Sequence, residues 1–344
     1  MAGGVRLATA KRGLSVRDET KPLVLIAAIA VGIAVNRLLG SGAATLIWVV
    51  EIGVFFVIFA VMLPVEIHEV SRAFRKVKPT ALALLINFVF IPVFAWTAGW
   101  LFLRNQPDLW AGVILYTLTP CIGWYLIFID LAKGDVAWGV ALLPWNITLQ
   151  FVLMPFYLYF LVGRVVPLDL GALTQSIVLY IVIPFALAYG LQKAIIRRKG
   201  RDYFFGPVKR AMGEVKLWSL VAVIIAIFAS QSVLGAGDLG TVGLIIGVIA
   251  LFFAVLFVIA LVVGRATRLT YGENATLAFT TTARNSEAVI GVAISAFPGR
   301  PLVYLAIILG PIVELPVLLV ISRLLLSLKG RLSAPVIAEA GVGG

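Results

Sequence analysis

Long apolar runs, each separated from the next by a short polar stretch, dominate the pattern of this chain. A helix needs about 20 apolar residues to cross the hydrocarbon core of a bilayer. Helical spans are therefore predicted at about 22–40, 45–65, 80–103, 110–132, 137–162, 172–196, 217–235, 240–264, 273–297 and 301–328. The pattern predicts an all-α integral membrane protein with ten transmembrane helices.

The composition supports a membrane protein and excludes several other classes. With 62% hydrophobic residues, 13% charged residues and a mean hydropathy of +1.08, the chain has too little polar surface for a water-soluble globule. The net charge is +12, but basic residues flank the apolar runs, so no nucleic-acid partner is expected. The chain has one cysteine, Cys121, and one histidine, His68, which excludes internal disulfides and the usual zinc motifs. No cofactor is expected, and no motif of an intramembrane enzyme is present.

Basic residues accumulate in alternate loops, which orients the predicted bundle. One side carries Arg6, Lys11, Arg12, Arg17, Lys21, Arg72, Arg75, Lys76, Lys78, Lys133, Lys193, Arg197, Arg198, Lys199, Arg201, Lys209, Arg210, Lys216, Arg265, Arg268, Lys329 and Arg331. The opposite loops carry only Arg104, Arg164 and Arg300. Because cytoplasmic loops are enriched in lysine and arginine, both termini are predicted to be cytoplasmic.

Two of the predicted spans carry a break at mid-depth, and they lie five helices apart. Residues 119–123 (TPCIG) interrupt span four, and residues 283–287 (ARNSE) interrupt span nine. Five is odd, so two five-helix units in one chain have opposite orientations, as in the inverted repeats of many secondary transporters. The sequence therefore predicts that discontinuous helices four and nine cross at the midplane of two inverted five-helix repeats.

This interpretation divides the chain into six parts. They are a cytoplasmic tail (1–21), the first five-helix repeat (22–162), a linker with helix six (163–196), a basic cytoplasmic loop (197–216), the rest of the second repeat (217–328) and a cytoplasmic tail (329–344).

Polar residues at hydrocarbon depth are the candidates for a site, because each carries a large insertion cost unless the bundle satisfies it. The break in span nine supplies Arg284, Asn285, Ser286 and Glu287. The alternative to a functional site is an ion pair between Arg284 and Glu287 that only holds helices together. The two residues would lie one helical turn apart if the helix persists there.

The other candidates come from spans four, five and ten: Pro120, Cys121, Asn146 and Glu314. Glu314 is predicted to be a lone carboxylate near the centre of span ten, where desolvation suits it to bind and release a proton. For Cys121 the alternative is an inert, buried small side chain.

Residues in both halves resemble the arsenite efflux permeases of the arsenical-resistance and bile-acid symporter superfamily. In the first half the similarity lies in 87–92 (NFVFIP), 101–104 (LFLR), Pro107, 112–115 (GVIL), 120–122 (PCI), 130–135 (DLAKGD) and Asn146. In the second half it lies in 278–280 (AFT), 285–287 (NSE), 292–294 (VAI), Phe297 and 310–318 (GPIVELPVL).

The resemblance implies a ten-helix transporter in the plasma membrane, of the bacterial inner-membrane type, with a panel domain and a core domain. It would export arsenite or antimonite in exchange for protons. By position, Cys121 would be the thiol that contacts arsenic transiently, and Glu287 and Glu314 the coupling carboxylates. The family usually has arginine before that cysteine and paired asparagines before the span-nine glutamate, where this chain has Pro120 and Arg284-Asn285-Ser286. The alternative is sodium-coupled transport of a small organic anion, with Arg284 as the carboxylate partner.

Overall fold

The computed structural model describes residues 16–40, 45–64, 76–121, 124–167, 171, 174–175, 178–230 and 239–332. The helices are α1 (Val16–Leu39), α2 (Ile47–Met62), α3 (Val77–Phe102), α4 (Pro107–Thr117), α5 (Trp124–Leu131), α6 (Val136–Phe160), α7 (Ile183–Lys199), α8 (Lys209–Ser230), α9 (Leu239–Ala266), α10 (Tyr271–Thr282), α11 (Ser286–Ala296) and α12 (Pro301–Leu332). Single π-helical turns lie within α3 at Ile86–Phe90 and directly before α7 at Val178–Val182.

Helices lie at each of the ten predicted apolar runs. Within the described residues, five helical segments are long and apolar enough to cross a membrane: Val77–Phe102, Val136–Arg164, Arg201–Ala229, Gly240–Ala266 and Pro301–Gly330. The chain is a helical, multi-pass membrane protein. The predicted spans four and nine are each split into two short helices, α4 with α5 and α10 with α11.

Helices extend beyond two of the predicted apolar spans. Helix α1 begins at Val16, inside the predicted tail. The segment 197–216, predicted as a loop, is helical except at Gly200, where the backbone adopts a φ of 84°. The basic residues of this segment therefore lie in continuations of the flanking helices α7 and α8. Residues 1–15, 65–75 with His68, and 333–344 lie outside the described part of the chain.

The helices pack in two groups, and each group draws on both halves of the sequence. In the first group α2 packs against α7 and α8, and α1 packs against α8. In the second group α4 packs against α3 and α12, and α9 packs against α10 and α12. The contact between α2 and α11 joins the groups.

Glycines set the closest of these contacts. A Cβ on Gly112 of α4 would lie 2.5 Å from the carbonyl oxygen of Val303, and one on Gly310 of α12 would lie 2.2 Å from the ring of Tyr116. A Cβ on Gly291 of α11 would lie 2.1 Å from Val54 of α2. The absence of side chains at these positions lets the helices approach closely, as is common in membrane bundles.

Ion pairs connect the starting ends of several helices. The ammonium of Lys76, just before α3, lies 2.7 Å from Asp135 and 2.6 Å from Glu273. Asp135 caps α6, and its side chain accepts a hydrogen bond from the backbone N–H of Trp138. Asp108, in the first turn of α4, lies 2.6 Å from Arg300, just before α12. Two of these pairs, Lys76–Glu273 and Asp108–Arg300, join helices from the two halves of the sequence.

Candidate functional site

The two interrupted helices meet inside the second group of helices. Pro120 and Arg284 form an antiparallel β-bridge. The backbone N–H of Cys121 donates to the carbonyl of Ala283 at 2.9 Å, and that of Asn285 donates to the carbonyl of Thr119 at 2.8 Å. Proline has no N–H and disfavours helical backbone in the residue before it, so Pro120 ends the helical hydrogen bonding locally. The two breaks satisfy each other's backbone groups, which is essential where water is excluded. We call this pair of segments, 119–121 and 283–285, the crossover.

The side chain of Thr119 strengthens the crossover. Its hydroxyl donates to the carbonyl of Asn285 at 2.9 Å and lies 3.2 Å from the carbonyl of Tyr116. Thr119, Cys121 and Asn285 are all buried. The crossover is therefore a buried junction held by backbone and side-chain hydrogen bonds.

The guanidinium of Arg284 lies among oxygen atoms at the ends of two half-helices. Its Nη1 donates to the carbonyl of Thr117, the last residue of α4, at 3.0 Å. The other acceptors are the carbonyls of Thr280, Thr281 and Thr282 at the end of α10 and the side-chain Oδ1 of Asn87. Asn87 lies in the π-helical turn of α3 and also donates to the carbonyl of Thr280 at 3.1 Å. Arg284 is only 2% exposed.

Glu314 of α12 is bonded on both carboxylate oxygens, so the prediction of a lone carboxylate is wrong. Tyr116 donates its hydroxyl to one oxygen at 2.7 Å, and the backbone N–H of Arg284 donates to the other at 3.0 Å. The contact of the Tyr116 ring with Gly310 brings the hydroxyl to Glu314. A carboxylate in the bundle interior requires such donors, and Glu314 is 3% exposed.

The predicted Arg284–Glu287 pairing depended on a continuous helix, and the helix is not continuous. It ends at Thr282 and restarts at Ser286, because residues 283–285 form the crossover. Glu287 lies in the first turn of α11, and its side chain lies outside the described part of the structure.

Asn146 of α6 approaches the same region from the other side. Its amide nitrogen donates to the hydroxyl of Thr280 at 3.2 Å. One turn later, Gln150 is also buried. The amide oxygen of Asn146 and both amide atoms of Gln150 have no hydrogen-bond partner among the described residues. These atoms are available to a polar ligand or to water.

Ser286 lies beside a cleft between α8, α11 and α12. The cleft is lined by Leu220, Ile224, Ser286, Ile290, Ile307, Ile308 and Pro311. All of these except Ser286 are apolar, and Leu220 and Ile224 belong to the first group of helices. The start of α11 therefore faces a space between the two groups.

The structure brings together Pro120, Cys121, Arg284, Asn285, Ser286 and Glu314, and connects Asn146 to them through Thr280. Four further residues belong to the region and are not among the site residues predicted from sequence: Tyr116, Thr117, Asn87 and Gln150. A spacing of four residues from Asn146 could have indicated Gln150, because such residues share a helical face.

Crossed, interrupted helices inside a bundle of membrane-length helices are the arrangement of membrane transporters, in which half-helix ends meet at the site. A sequence model of the Sodium Bile acid symporter family matches residues 51–236. The chain belongs to that family, and the resemblance identified from the sequence is confirmed.

Individual relatives are more distant but match along most of the chain. The chain is 26% identical to the arsenical-resistance protein Acr3 of Corynebacterium glutamicum, with 89% of this chain and 87% of the relative covered. It is 25% identical to the Acr3 of Alkaliphilus metalliredigens, with 91% and 93% covered. It is also 24% identical to an uncharacterized transporter of Synechocystis, with 86% and 85% covered.

Proposed function

We propose that the chain exports arsenite, and antimonite by the same chemistry, across the plasma membrane in exchange for protons. The observation that carries the proposal is the chain's single thiol, Cys121, buried in the crossover within the same region as the buried carboxylate of Glu314. Similarity to two arsenical-resistance proteins along most of the chain supports the substrate.

The substrate chemistry fits a site with one thiol and several amides. Arsenite near neutral pH is mainly an uncharged trihydroxide, with a soft arsenic atom and hydroxyls that form hydrogen bonds. Cys121 would contact arsenic transiently, beside Pro120, while Asn146, Asn285 and Ser286 would bond its hydroxyls. One thiol gives a weak contact, which suits release from a transporter. The unsatisfied amide atoms of Asn146 and Gln150 support a polar ligand on that side.

Glu314 is the first candidate for proton coupling. It is buried, it contacts the backbone of Arg284, and its bond to Tyr116 links α12 to α4. A change in its protonation would therefore alter contacts at the crossover. Glu287 is the second candidate for proton coupling, because it lies at the start of α11. Both carboxylates are compatible with the proposed architecture, in which two inverted five-helix repeats leave both termini in the cytoplasm.

The alternative function is sodium-coupled transport of a small organic anion, and the description of the matched family favours it. In that case Arg284 would bind the substrate's carboxylate. The contacts of Arg284 weigh against this, because its Nε, Nη1 and Nη2 all already donate to protein oxygens.

The test is arsenite uptake into everted membrane vesicles with an imposed pH gradient or sodium gradient and equal amounts of protein. We expect uptake to follow the pH gradient. Cys121→Ser should weaken uptake, because serine is nearly isosteric but lacks the soft sulfur. Glu314→Gln should abolish the response to pH, because it fixes the neutral state. Asp202→Asn, on an exposed position, is the control and should transport normally. Normal transport by both site variants would favour the organic-anion function, and arsenite uptake driven by sodium alone would contradict the proton coupling.

A further inference from the structure

The oxygen atoms around the Arg284 guanidinium form a set that suits a small hard cation. Four are backbone carbonyls, from Thr117, Thr280, Thr281 and Thr282, and the fifth is the amide oxygen of Asn87. We call these five oxygens the carbonyl cage. All of its residues are buried. All five acceptors are neutral, so the cage attracts a cation through the dipoles of its carbonyl and amide groups and supplies no negative charge.

Helix ends explain why the cage attracts positive charge. The last carbonyls of a helix have no partner within it and carry the negative end of the helix dipole. Here the last residue of α4 and the last residues of α10 direct carbonyls at the same guanidinium group, although at different nitrogens of it. In secondary transporters, unwound carbonyls and half-helix C-terminal ends are the groups that coordinate Na⁺. Left empty in the bundle interior, such carbonyls would be costly.

We propose that Arg284 is a tethered cation that occupies a latent site for a monovalent cation, so that transport by this chain does not depend on sodium. The inference deepens the proposed function, since it concerns which ion drives transport. It also predicts that removing the Arg284 side chain creates a binding site for free guanidinium or Na⁺.

The position of Arg284 keeps its guanidinium in the cage. Its backbone is fixed in the bridge to Pro120, and its N–H donates to Glu314. The ring of Phe252, from α9, lies 5.9 Å from the guanidinium carbon, at cation–π distance. Because the backbone of the same residue forms part of the crossover, the guanidinium is tethered beside the cage.

The experiment measures thermal unfolding of the full chain in detergent, in guanidinium chloride at non-denaturing concentration, NaCl or choline chloride at equal ionic strength. An alkaline buffer limits compensation by proton uptake at Glu314. For Arg284→Ala we expect the unfolding temperature to rise by several degrees in guanidinium and in Na⁺ relative to choline. The wild type should show no such difference.

Two controls separate a filled cage from a general ion effect. Arg284→Lys retains a tethered cation and should respond as the wild type does. Arg323→Ala removes an arginine from an exposed position of α12 and should also show no specific response. An Arg284→Ala response equal to that of the wild type would overturn the proposal.

A measurement on the wild type covers the case in which Arg284→Ala does not fold. In proteoliposomes, replacing Na⁺ by choline on both sides of the membrane should leave arsenite transport by the wild type unchanged. In detergent, Na⁺ should not raise the unfolding temperature of the wild type above its value in choline. Sodium dependence in either measurement would overturn the inference. The unfolding measurements need no substrate, so failure of arsenite transport would contradict the proposed function and leave the cage testable.

Discussion

At the residue scale, the hydrogen bond from Tyr116 to Glu314 joins a buried hydroxyl to a buried carboxylate, and deleting one oxygen atom removes it. A buried carboxylate depends on its donors, because desolvation is not repaid otherwise. Hydrogen bonds to charged groups are worth about 1.5–3 kcal/mol, against about 0.5–1.5 kcal/mol for neutral pairs. The Tyr116 hydroxyl makes a bond of the first kind, whereas that of Tyr157 donates to the neutral carbonyl of Phe88 at 2.6 Å.

We therefore expect Tyr116→Phe to lower the unfolding temperature more than Tyr157→Phe does. Both changes remove one hydroxyl from a buried tyrosine and leave the ring in place. The cost should be about 1.5–3 kcal/mol at Tyr116 and about 0.5–1.5 kcal/mol at Tyr157. Thermal unfolding of the two purified variants measures the difference. Equal losses would mean that Glu314 does not rely on Tyr116.

The types of residue in the site could be predicted from sequence, but their partners could not. Arg284, Cys121 and Glu314 stand out because charge and sulfur are rare in apolar runs. The partners of Arg284 are mostly backbone carbonyls, which every residue has, so no sequence pattern identifies them. Glu314 was expected to be isolated because Tyr116 lies almost 200 positions away in the chain, and only the packing of α4 on α12 brings them together.

At the scale of elements, charged residues at helix starts hold the second group of helices together at its ends. Lys76 connects the starts of α3, α6 and α10 through Asp135 and Glu273. Burial opposes the charge of Asp135, but the hydrogen bonds from Lys76 and Trp138 outweigh it and hold the pKa of Asp135 below its usual value of 3.8. Burial likewise opposes the charge of Lys76, but both carboxylates together raise its pKa above 10.5.

The sign of these shifts defines a pH window. Because the pKa of Asp135 is lower in the folded state, its charge stabilises the fold fully at pH values above its usual pKa of 3.8. This contribution is lost as pH falls through the folded pKa of Asp135. The raised pKa of Lys76 stabilises the fold below 10.5, and this contribution is lost as pH rises through its folded pKa. The pKa of Glu273 is likewise held below its usual 4.5, so the cluster contributes fully between about pH 4.5 and about pH 10.5.

Lys76→Met should destabilise the protein within this window by about 1 kcal/mol, a value that allows for solvent screening of partly exposed charges. The change leaves Asp135 and Glu273 without their shared cation, so the loss should shrink in acid, where both carboxylates are neutral. Lys78→Met is the matched control, because Lys78 donates only to the carbonyl of Thr267 among the described residues. Unfolding temperatures measured across pH test this. A loss that is the same at every pH, or as large in Lys78→Met, would contradict the electrostatic role.

At the scale of the whole molecule, the number and order of the apolar runs could be predicted, but the grouping of helices could not. Apolar faces against lipid and against other helices have similar compositions, so hydropathy identifies helices without identifying neighbours. The joining of α2 to α11 depends on Gly291, which allows Val54 and Ile58 to approach. The segment 197–216 was predicted as a loop because its charges obscured a helix that extends beyond the apolar run.

The orientation of the molecule is predicted from its basic residues, and it can be tested at two positions. Cys121→Ser gives a background without cysteine, since the chain has one cysteine. Gly213→Cys introduces a thiol within the basic segment, where a Cβ meets no atom within 4 Å. Asn105→Cys introduces a thiol at an exposed position between α3 and α4, on the predicted outer side.

In intact cells, a membrane-impermeant maleimide should label Asn105→Cys and leave Gly213→Cys unlabelled. In everted vesicles the pattern should be reversed. The physical reason is that basic segments are retained on the cytoplasmic side during insertion. The segment 197–216 and its N-terminal flank carry eight basic residues: Lys193, Arg197, Arg198, Lys199, Arg201, Lys209, Arg210 and Lys216. Labelling of Gly213→Cys in intact cells would invert the predicted topology. The direction of the proposed arsenite export would then have to be reassigned, although the crossover and the carbonyl cage would stay unchanged.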